Sequence, residues 1–273
     1  MTPGKKKLHR NLKQLRQLLR NARTTWSSSK HWEAWTQWRS ENGSGEPANQ
    51  PNALWDFFES RKEGRGIWKW THYFPIYERH FARFRGGEVH VLEVGIYSGG
   101  SLELWSEYFG PRCHVYGVDI APSCRAYEND HTKIFIGDQA DRGFWRQFKR
   151  EVPRLDIVID DGGHQFGQQV ATLEELLPHL WPGGVYLCED VHQKFNQFAS
   201  YVYGLEHDLN GFDGANGDVN DSERRIACPT SPFQSAVSSV HAYPYVLVIE
   251  RTQGPIREFV APKHGTQWEP FLK

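Results

Sequence analysis

Two short stretches carry residues that could do chemistry. Asp156-Ile157-Val158-Ile159-Asp160-Asp161-Gly162-Gly163-His164 brings an apolar run to an abrupt Asp-Asp pair and then a histidine. Val185-Tyr186-Leu187-Cys188-Glu189-Asp190-Val191-His192 repeats the theme with Glu-Asp. If the two runs are neighbouring strands, about 4.8 Å apart, both acid pairs meet at one edge of a sheet. Carboxylates left unpaired at that range repel and raise one another's pKa values. A hard divalent cation relieves the conflict, and an oxygen-rich set with few histidines favours Mg²⁺ (or Ca²⁺ or Mn²⁺) over Zn²⁺. Asp161, Glu189 and Asp190 are the expected ligands, with positions left for water and substrate oxygens. His164 lies three residues after Asp161, within reach of the proton of a hydroxyl polarised by the ion. Plainer readings stand beside these. The acids also suit helix capping or pairing with Arg or Lys, His164 also suits a structural loop, and His192 has no role fixed by its position.

The elements that must position these residues follow from periodicity. Glu88–Val94, His114–Asp119, Lys133–Ile136, Leu155–Ile159 and Gly184–Cys188 read as strands. Amphipathic segments between them read as helices: Ser101–Phe109, Arg142–Val152 and Gln168–Leu180, preceded by a Tyr73/Tyr77/Phe81/Phe84 stripe. Such alternation builds a parallel sheet with right-handed crossovers. The end differs. Val237–His241 and Tyr245–Glu250 are separated by three residues, too few for a crossover helix, so the pair must be antiparallel. A mostly parallel seven-stranded sheet closed by an antiparallel C-terminal strand pair is the α/β, Rossmann-like architecture of class I methyltransferases.

The loop after the first strand points the same way. Gly95-Ile96-Tyr97-Ser98-Gly99-Gly100-Ser101 leaves a strand and opens a helix, with glycines that let backbone approach a ligand. Glu93, two residues before Gly95, suits the ammonium of a sulfonium amino acid better than a pyrophosphate. Asp119 ends the second strand, where a carboxylate can take both hydroxyls of a ribose, and Asp138-Gln139 follows the third strand, within reach of an adenine. Glu93, Gly95, Tyr97, Ser98, Gly99, Ser101, Asp119, Asp138, Gln139 and Asp160 are the expected contacts of S-adenosyl-L-methionine (SAM).

Composition excludes several other classes. With 273 residues and a net charge of −1, the chain has no global pull toward nucleic acid. No apolar run is long enough to span a bilayer. The first 30 residues lack the apolar core of a secretory signal, and four cysteines without CxxC spacing fit free thiols in a reducing cytoplasm. Two regions are expected. Residues 1–50 form a basic, Trp-rich extension and linker, with Leu8, Leu12, Leu15 and Leu19 on one helical stripe and no acid before Glu33. Residues 51–273 form the catalytic domain. The leucine stripe suits packing on the protein or across a homo-oligomer, with an anionic lipid surface or RNA as other readings. Residues 206–232 read as a long polar loop, either a substrate lid or disordered.

The segment from about Trp68 to Asp190 resembles the metal-dependent sugar O-methyltransferases of macrolide tailoring, the macrocin and mycinamicin type. It is also similar to the cephalosporin hydroxylase-like proteins of the same fold. Lys69-Trp70…Tyr77-Glu78, Leu92-Glu93-Val94-Gly95, Gly137-Asp138-Gln139-Ala140-Asp141, Ile159-Asp160-Asp161-Gly162-Gly163-His164 and Glu189-Asp190-Val191-His192 carry the resemblance, with Ser239-Val240-His241-Ala242-Tyr243 at the end. It implies Mg²⁺ on Asp161, Glu189 and Asp190, catalysis by His164 as base with Asp161, and a sugar or natural-product hydroxyl as methyl acceptor. Tyr97 stands where many class I methyltransferases carry a second glycine. Two other readings remain: a non-catalytic SAM- or metal-binding scaffold, and an NAD-type oxidoreductase, against which stand the final strands and the lack of GxGxxG.

Overall fold

Period-2 alternation of apolar side chains builds the central sheet, and the computed structural model shows where each alternating set goes. It describes residues 3–31, 52–211, 218–220 and 225–265. The strands are β1 (Val89–Val94), β2 (Cys113–Asp119), β3 (Thr132–Ile136), β4 (Leu155–Asp160), β5 (Leu180–Cys188), β6 (Asp218–Asn220), β7 (Arg225–Pro229), β8 (Val237–Tyr243), β9 (Val246–Arg251) and β10 (Glu258–Pro262). Seven of them form one sheet in the order β3-β2-β1-β4-β5-β9-β8. β1 to β5 pair in parallel, while β9 runs antiparallel to both β5 and β8. β9 is therefore the strand that runs against the rest, and the expected sheet and closing pair are present.

Each face of the sheet has its own core. On one face Val89 and Val91, Ile157 and Ile159, and Val185 and Leu187 pack with Phe74–Phe81 and Gly100–Phe109. On the other, Leu92 and Val94, Val158, and Tyr186 and Cys188 pack with Arg142–Glu151, Phe166–Leu176 and Gln197–Leu209. Burial on both faces explains why these strands read as near-continuous apolar runs.

Some boundaries move. Leu180, expected to end a helix, opens β5 instead, and on the two helical segments that cover the second face Phe144, Val170 and Leu177 are half-buried. The stretch 206–232 is not one polar loop: it holds the end of helix Gln197–Leu209 and two strands, β6 and β7, which join β10 in a small antiparallel sheet. Residues 212–217 and 221–224, part of the expected lid, lie outside the described residues.

The chain divides into two units, Met1–Ala48 and Asn49–Lys273. In the first, Pro3–His31 is a single helix whose Leu12, Leu15, Leu18 and Leu19 are exposed. Trp32, Trp35, Trp38 and the linker at 40–51 lie outside the described residues. No described helix is long and apolar enough to cross a membrane. All four cysteines are free.

Candidate active site at the carboxyl edge of the sheet

The pleat sorts the acids before any ligand is considered. Successive side chains on a strand point to opposite faces. Glu93 continues the Val89–Val91 set, Asp161 the Ile157–Ile159 set and Glu189 the Val185–Leu187 set, so these three share one face of the sheet. Asp160 falls on the other. There its carboxylate accepts hydrogen bonds from Tyr186 Oη (2.7 Å) and Gln139 Nε2 (2.6 Å). Burial raises its pKa to about 7 against the pull of those donors. The two tandem pairs therefore do not converge whole, because the pleat turns Asp160 away.

What holds the three converging acids is Lys69, which belongs to the Lys69-Trp70 motif of the resemblance but has no role assigned to it there. Lys69 Nζ lies 3.2 Å from Glu93 Oε1, 2.6 Å from Asp161 Oδ2 and 3.0 Å from Glu189 Oε2. Its side chain is 3% exposed. Burial opposes the charge on that ammonium, but Asp161, then Glu189 and Glu93, outweigh it and hold the pKa well above the usual value. Burial also pushes Glu93 and Glu189 upward, against the pull of Lys69. The repulsion that seemed to require a metal is thus relieved in part by the chain itself, through the Lys pairing that stood as the plainer reading.

Two tyrosines complete the grip. Tyr77 Oη donates to Glu189 Oε1 (2.6 Å) and Tyr73 Oη to Asp190 Oδ1 (2.6 Å). Both phenols are pushed up, by burial first and then by the carboxylate beside each, so they remain donors. The sequence marked Tyr73 and Tyr77 as an apolar stripe, which their rings are. Nothing in a spacing of 117 or 112 residues to their partners signals the hydroxyl contacts.

Asp190 faces a more open space. Its Oδ2 lies 3.8 Å from His164 Nε2 and its Oδ1 lies 3.4 Å from His192 Nε2. Ligand atoms of Asp161, His164 and Asp190 lie within 4.8 Å of one another. Among the described residues, two other His/carboxylate groups are less suited to a cation, because Arg83 already binds Glu250 beside His80 and His241, and Arg154 approaches Glu88 beside His90 and His114. His164 (φ 54°) and Asp190 (φ 53°) both adopt left-handed backbone, as does Tyr97 (φ 41°). That conformation is uncommon for residues with a Cβ and clusters at ligand sites.

The expected cofactor residues fall into two sets around one cavity of about 960 Å³. Gly95, Tyr97, Ser98, Ser101, Asp119, Asp138 and Gln139 line it, and so do Asp161, His164, Glu189, Asp190 and His192. Glu93, Gly99 and Asp160 are not on its wall. Glu93 sits behind it between Lys69 and Ser101 Oγ (2.6 Å), and Gly99 turns the chain into the helix against Tyr127. Gly95 (φ 84°) packs so closely on the Asp161 carbonyl that a Cβ there would collide with it, which locks the loop to the end of β4. Asp119 does more local work than expected. It accepts from the backbone N–H of Ile96, Tyr97 and Ala121, using about three of a carboxylate's four lone-pair sites. That leaves little for gripping both hydroxyls of a ribose. Gln139 likewise braces the site, donating to Asp160 and accepting from Gly163 N–H (3.0 Å).

No protein-family model matches the chain. Curated relatives do. The chain is 32% identical over 205 residues to 8-demethyl-8-alpha-L-rhamnosyl tetracenomycin-C 2'-O-methyltransferase of Streptomyces olivaceus, covering 70% of this chain and 53% of that protein. It is 39% identical over 132 residues to demethylmacrocin O-methyltransferase of Streptomyces fradiae (45% and 33%). To mycinamicin VI 2''-O-methyltransferase of Micromonospora griseorubida it is 38% identical over 128 residues (44% and 32%). The chain thus spans between a third and about half the length of these relatives. Among solved structures, the mycinamycin-pathway methyltransferase MycE in complex with Mg, SAH and mycinamycin VI superposes with a TM-score of 0.56 at 27% identity, covering 77% of this chain and 55% of that one. The chain carries the class I methyltransferase fold and is similar, through that domain, to sugar O-methyltransferases of the macrocin, mycinamicin and tetracenomycin type.

Proposed function

We propose that the protein transfers a methyl group from SAM to a hydroxyl of a sugar-bearing natural product, with a divalent ion of the Mg²⁺ type at the acid cluster. One observation carries the reading: the glycine loop after β1 and the Asp161/His164/Asp190 group line a single cavity. Its volume, near the upper end for small-molecule sites, accommodates a cofactor with part of an acceptor. The similar proteins are named as O-methyltransferases of rhamnosyl, macrocin and mycinamicin compounds, and MycE is described with Mg and SAH.

The residues fit the metal. Glu93, Asp161 and Glu189 face a single buried ammonium while Asp190 accepts from Tyr73, so negative charge remains in excess beside the cavity. A set dominated by carboxylate oxygens, with the imidazoles of His164 and His192 beside it, matches a hard cation. Asp161, Glu189 and Asp190 would hold it. When bound, the cofactor supplies an electrophilic methyl group and the ion supplies Lewis acidity toward the acceptor hydroxyl. The chain does the rest. The Gly95–Ser101 loop shapes the cofactor's end of the cavity, Tyr73 and Tyr77 fix Asp190 and Glu189, and His164 Nε2 takes the hydroxyl proton. At the rim, Trp68 (91% exposed), Tyr97 (77%) and Ile120 (70%) present an apolar face suited to a large aglycone.

The test is direct. The full chain with SAM and Mg²⁺ should methylate a glycosylated polyketide from a panel of rhamnosylated and macrolide acceptors, and EDTA should stop it. Absence of SAH binding by calorimetry, or turnover indifferent to EDTA, defeats the proposal. SAH binding with no turnover on any acceptor would favour the scaffold reading instead.

A further inference from the structure

A buried lysine at the meeting point of three strands needs its own explanation. Taking an ammonium out of water costs several kcal/mol unless it is paired and hydrogen-bonded. Lys69 satisfies that condition fully, with its three N–H donors facing three different carboxylates, on β1, after β4 and after β5. The same carboxylates cannot be left alone in a dry site either. The lysine and its partners are therefore mutually required as long as nothing else neutralises the acids.

Two of those partners, Asp161 and Glu189, are also proposed ligands of the divalent ion. Asp161 belongs to both groups: its Oδ2 bonds Lys69, and it shares the more open side with His164 and Asp190. Glu189 gives Oε1 to Tyr77 and both oxygens to Lys69. Any ion that draws on these oxygens must share them with an ammonium already in contact.

We propose that Lys69 is a positioning residue acting as the cluster's resident cation. It holds Glu93, Asp161 and Glu189 in place when no metal is bound and opposes the divalent ion for the same oxygens, so it keeps the metal exchangeable. The inference rests on the metal reading above for its second half and on the observed contacts alone for its first. It also ties Glu93, behind the cofactor wall, to Asp161 and Glu189 through one side chain.

The experiment uses the full chain with Lys69→Met, which keeps the length of the side chain and removes its charge. Three quantities are compared with wild type: the thermal midpoint in EDTA, its shift on adding Mn²⁺, and the Mn²⁺ dissociation constant by calorimetry. The midpoint in EDTA should fall, the Mn²⁺-induced shift should grow, and Mn²⁺ should bind about tenfold tighter or more, as loss of a neighbouring like charge in a partly dry site requires. A lysine with only a structural role would lower stability and weaken metal binding together. Unchanged or weaker Mn²⁺ affinity in Lys69→Met therefore overturns the proposal. Wild type that binds no Mn²⁺ defeats the metal reading instead; the EDTA midpoints then decide, and equal midpoints overturn the lysine's role. If the single variant does not fold, Lys69→Met with Glu93→Gln, set against Glu93→Gln alone, gives the same comparison with one fewer unpaired charge.

Discussion

The acid cluster has a closed half and an open half, and they settle their charge differently. In the closed half, Glu93 and Glu189 are 0% and 1% exposed, and every partner they show comes from the chain: Lys69, Ser101 and Tyr77. In the open half, Asp161 and Asp190 are 19% and 25% exposed, and Asp190 has two histidines at distances too long for good hydrogen bonds. Where water is excluded, the fold must bring its own cation, because an unpaired buried carboxylate is too costly to leave. Where water reaches, the charge of Asp190 can wait for an exchangeable partner, and Asp161 straddles the two halves through its 2.6 Å contact with Lys69. Stability and chemistry should therefore separate along this line.

The largest effect should come from the open half. Asp190→Asn should lower methyl transfer by about a thousandfold, equivalent to about 4 kcal/mol of transition-state stabilisation from a metal ligand. Its thermal midpoint without metal should stay near that of wild type, because Tyr73 can still bond the amide oxygen. A collapse of the midpoint would erase the distinction between the halves. His164→Ala should follow, with kcat reduced by roughly 100- to 1,000-fold as expected for loss of a general base, and the limb of the pH–rate profile assigned to that base removed. Mn²⁺ affinity measured on the same variant sharpens the result. If affinity falls in step with kcat, His164 is a ligand of the ion rather than the acceptor of the proton.

Much of this was legible in the sequence, for a definite reason. Apolar runs broken by acids mark strand ends wherever they occur, so β1, β4 and β5 and their terminal carboxylates could be placed from local pattern. The short gap before Val246 likewise fixed the antiparallel pair. Lys69, Tyr73 and Tyr77 were not legible as site residues. Their partners lie across a fold-scale separation, and a lysine between two tryptophans or a tyrosine on an apolar stripe has no periodicity that reveals what its tip touches. Asp160 was misplaced for the opposite reason. Adjacent in sequence to Asp161, it looked like part of the same cluster, yet a strand's alternation puts neighbours on opposite faces. β6, β7 and β10 are only three to five residues long, and strands so short carry too few residues for an alternating pattern to stand out.

Smaller effects test the closed half. Tyr77→Phe removes one charge-assisted hydrogen bond from buried Glu189 and should cost about 2 kcal/mol of stability. Its turnover should change far less than that of Asp190→Asn. A Tyr77→Phe protein with normal stability and lost turnover would place Glu189 on the chemical side of the line.

The smallest effect lies away from the site and gives the pH baseline against which the others must be read. His80 is buried, with Nδ1 2.7 Å from Glu250 Oε1 and Nε2 2.9 Å from Tyr243 Oη. Burial lowers its pKa despite the attraction of Glu250. The unfolded chain therefore takes up a proton near pH 6.5, where folded His80 does not, so stability falls as pH drops from about 6.5 toward the folded value. His90 and His179 are lowered by burial in the same direction and add to the loss. These histidines should accordingly pull the thermal midpoint down between about pH 7 and pH 5.5, roughly the window of an ordinary histidine, while buried Asp160, raised to about 7, works in the opposite direction. His80→Gln, which can still bond Tyr243, should remove part of that decline at a scale of about 1 kcal/mol or less. An undiminished acid-side slope in the variant would assign the loss to His90 and His179.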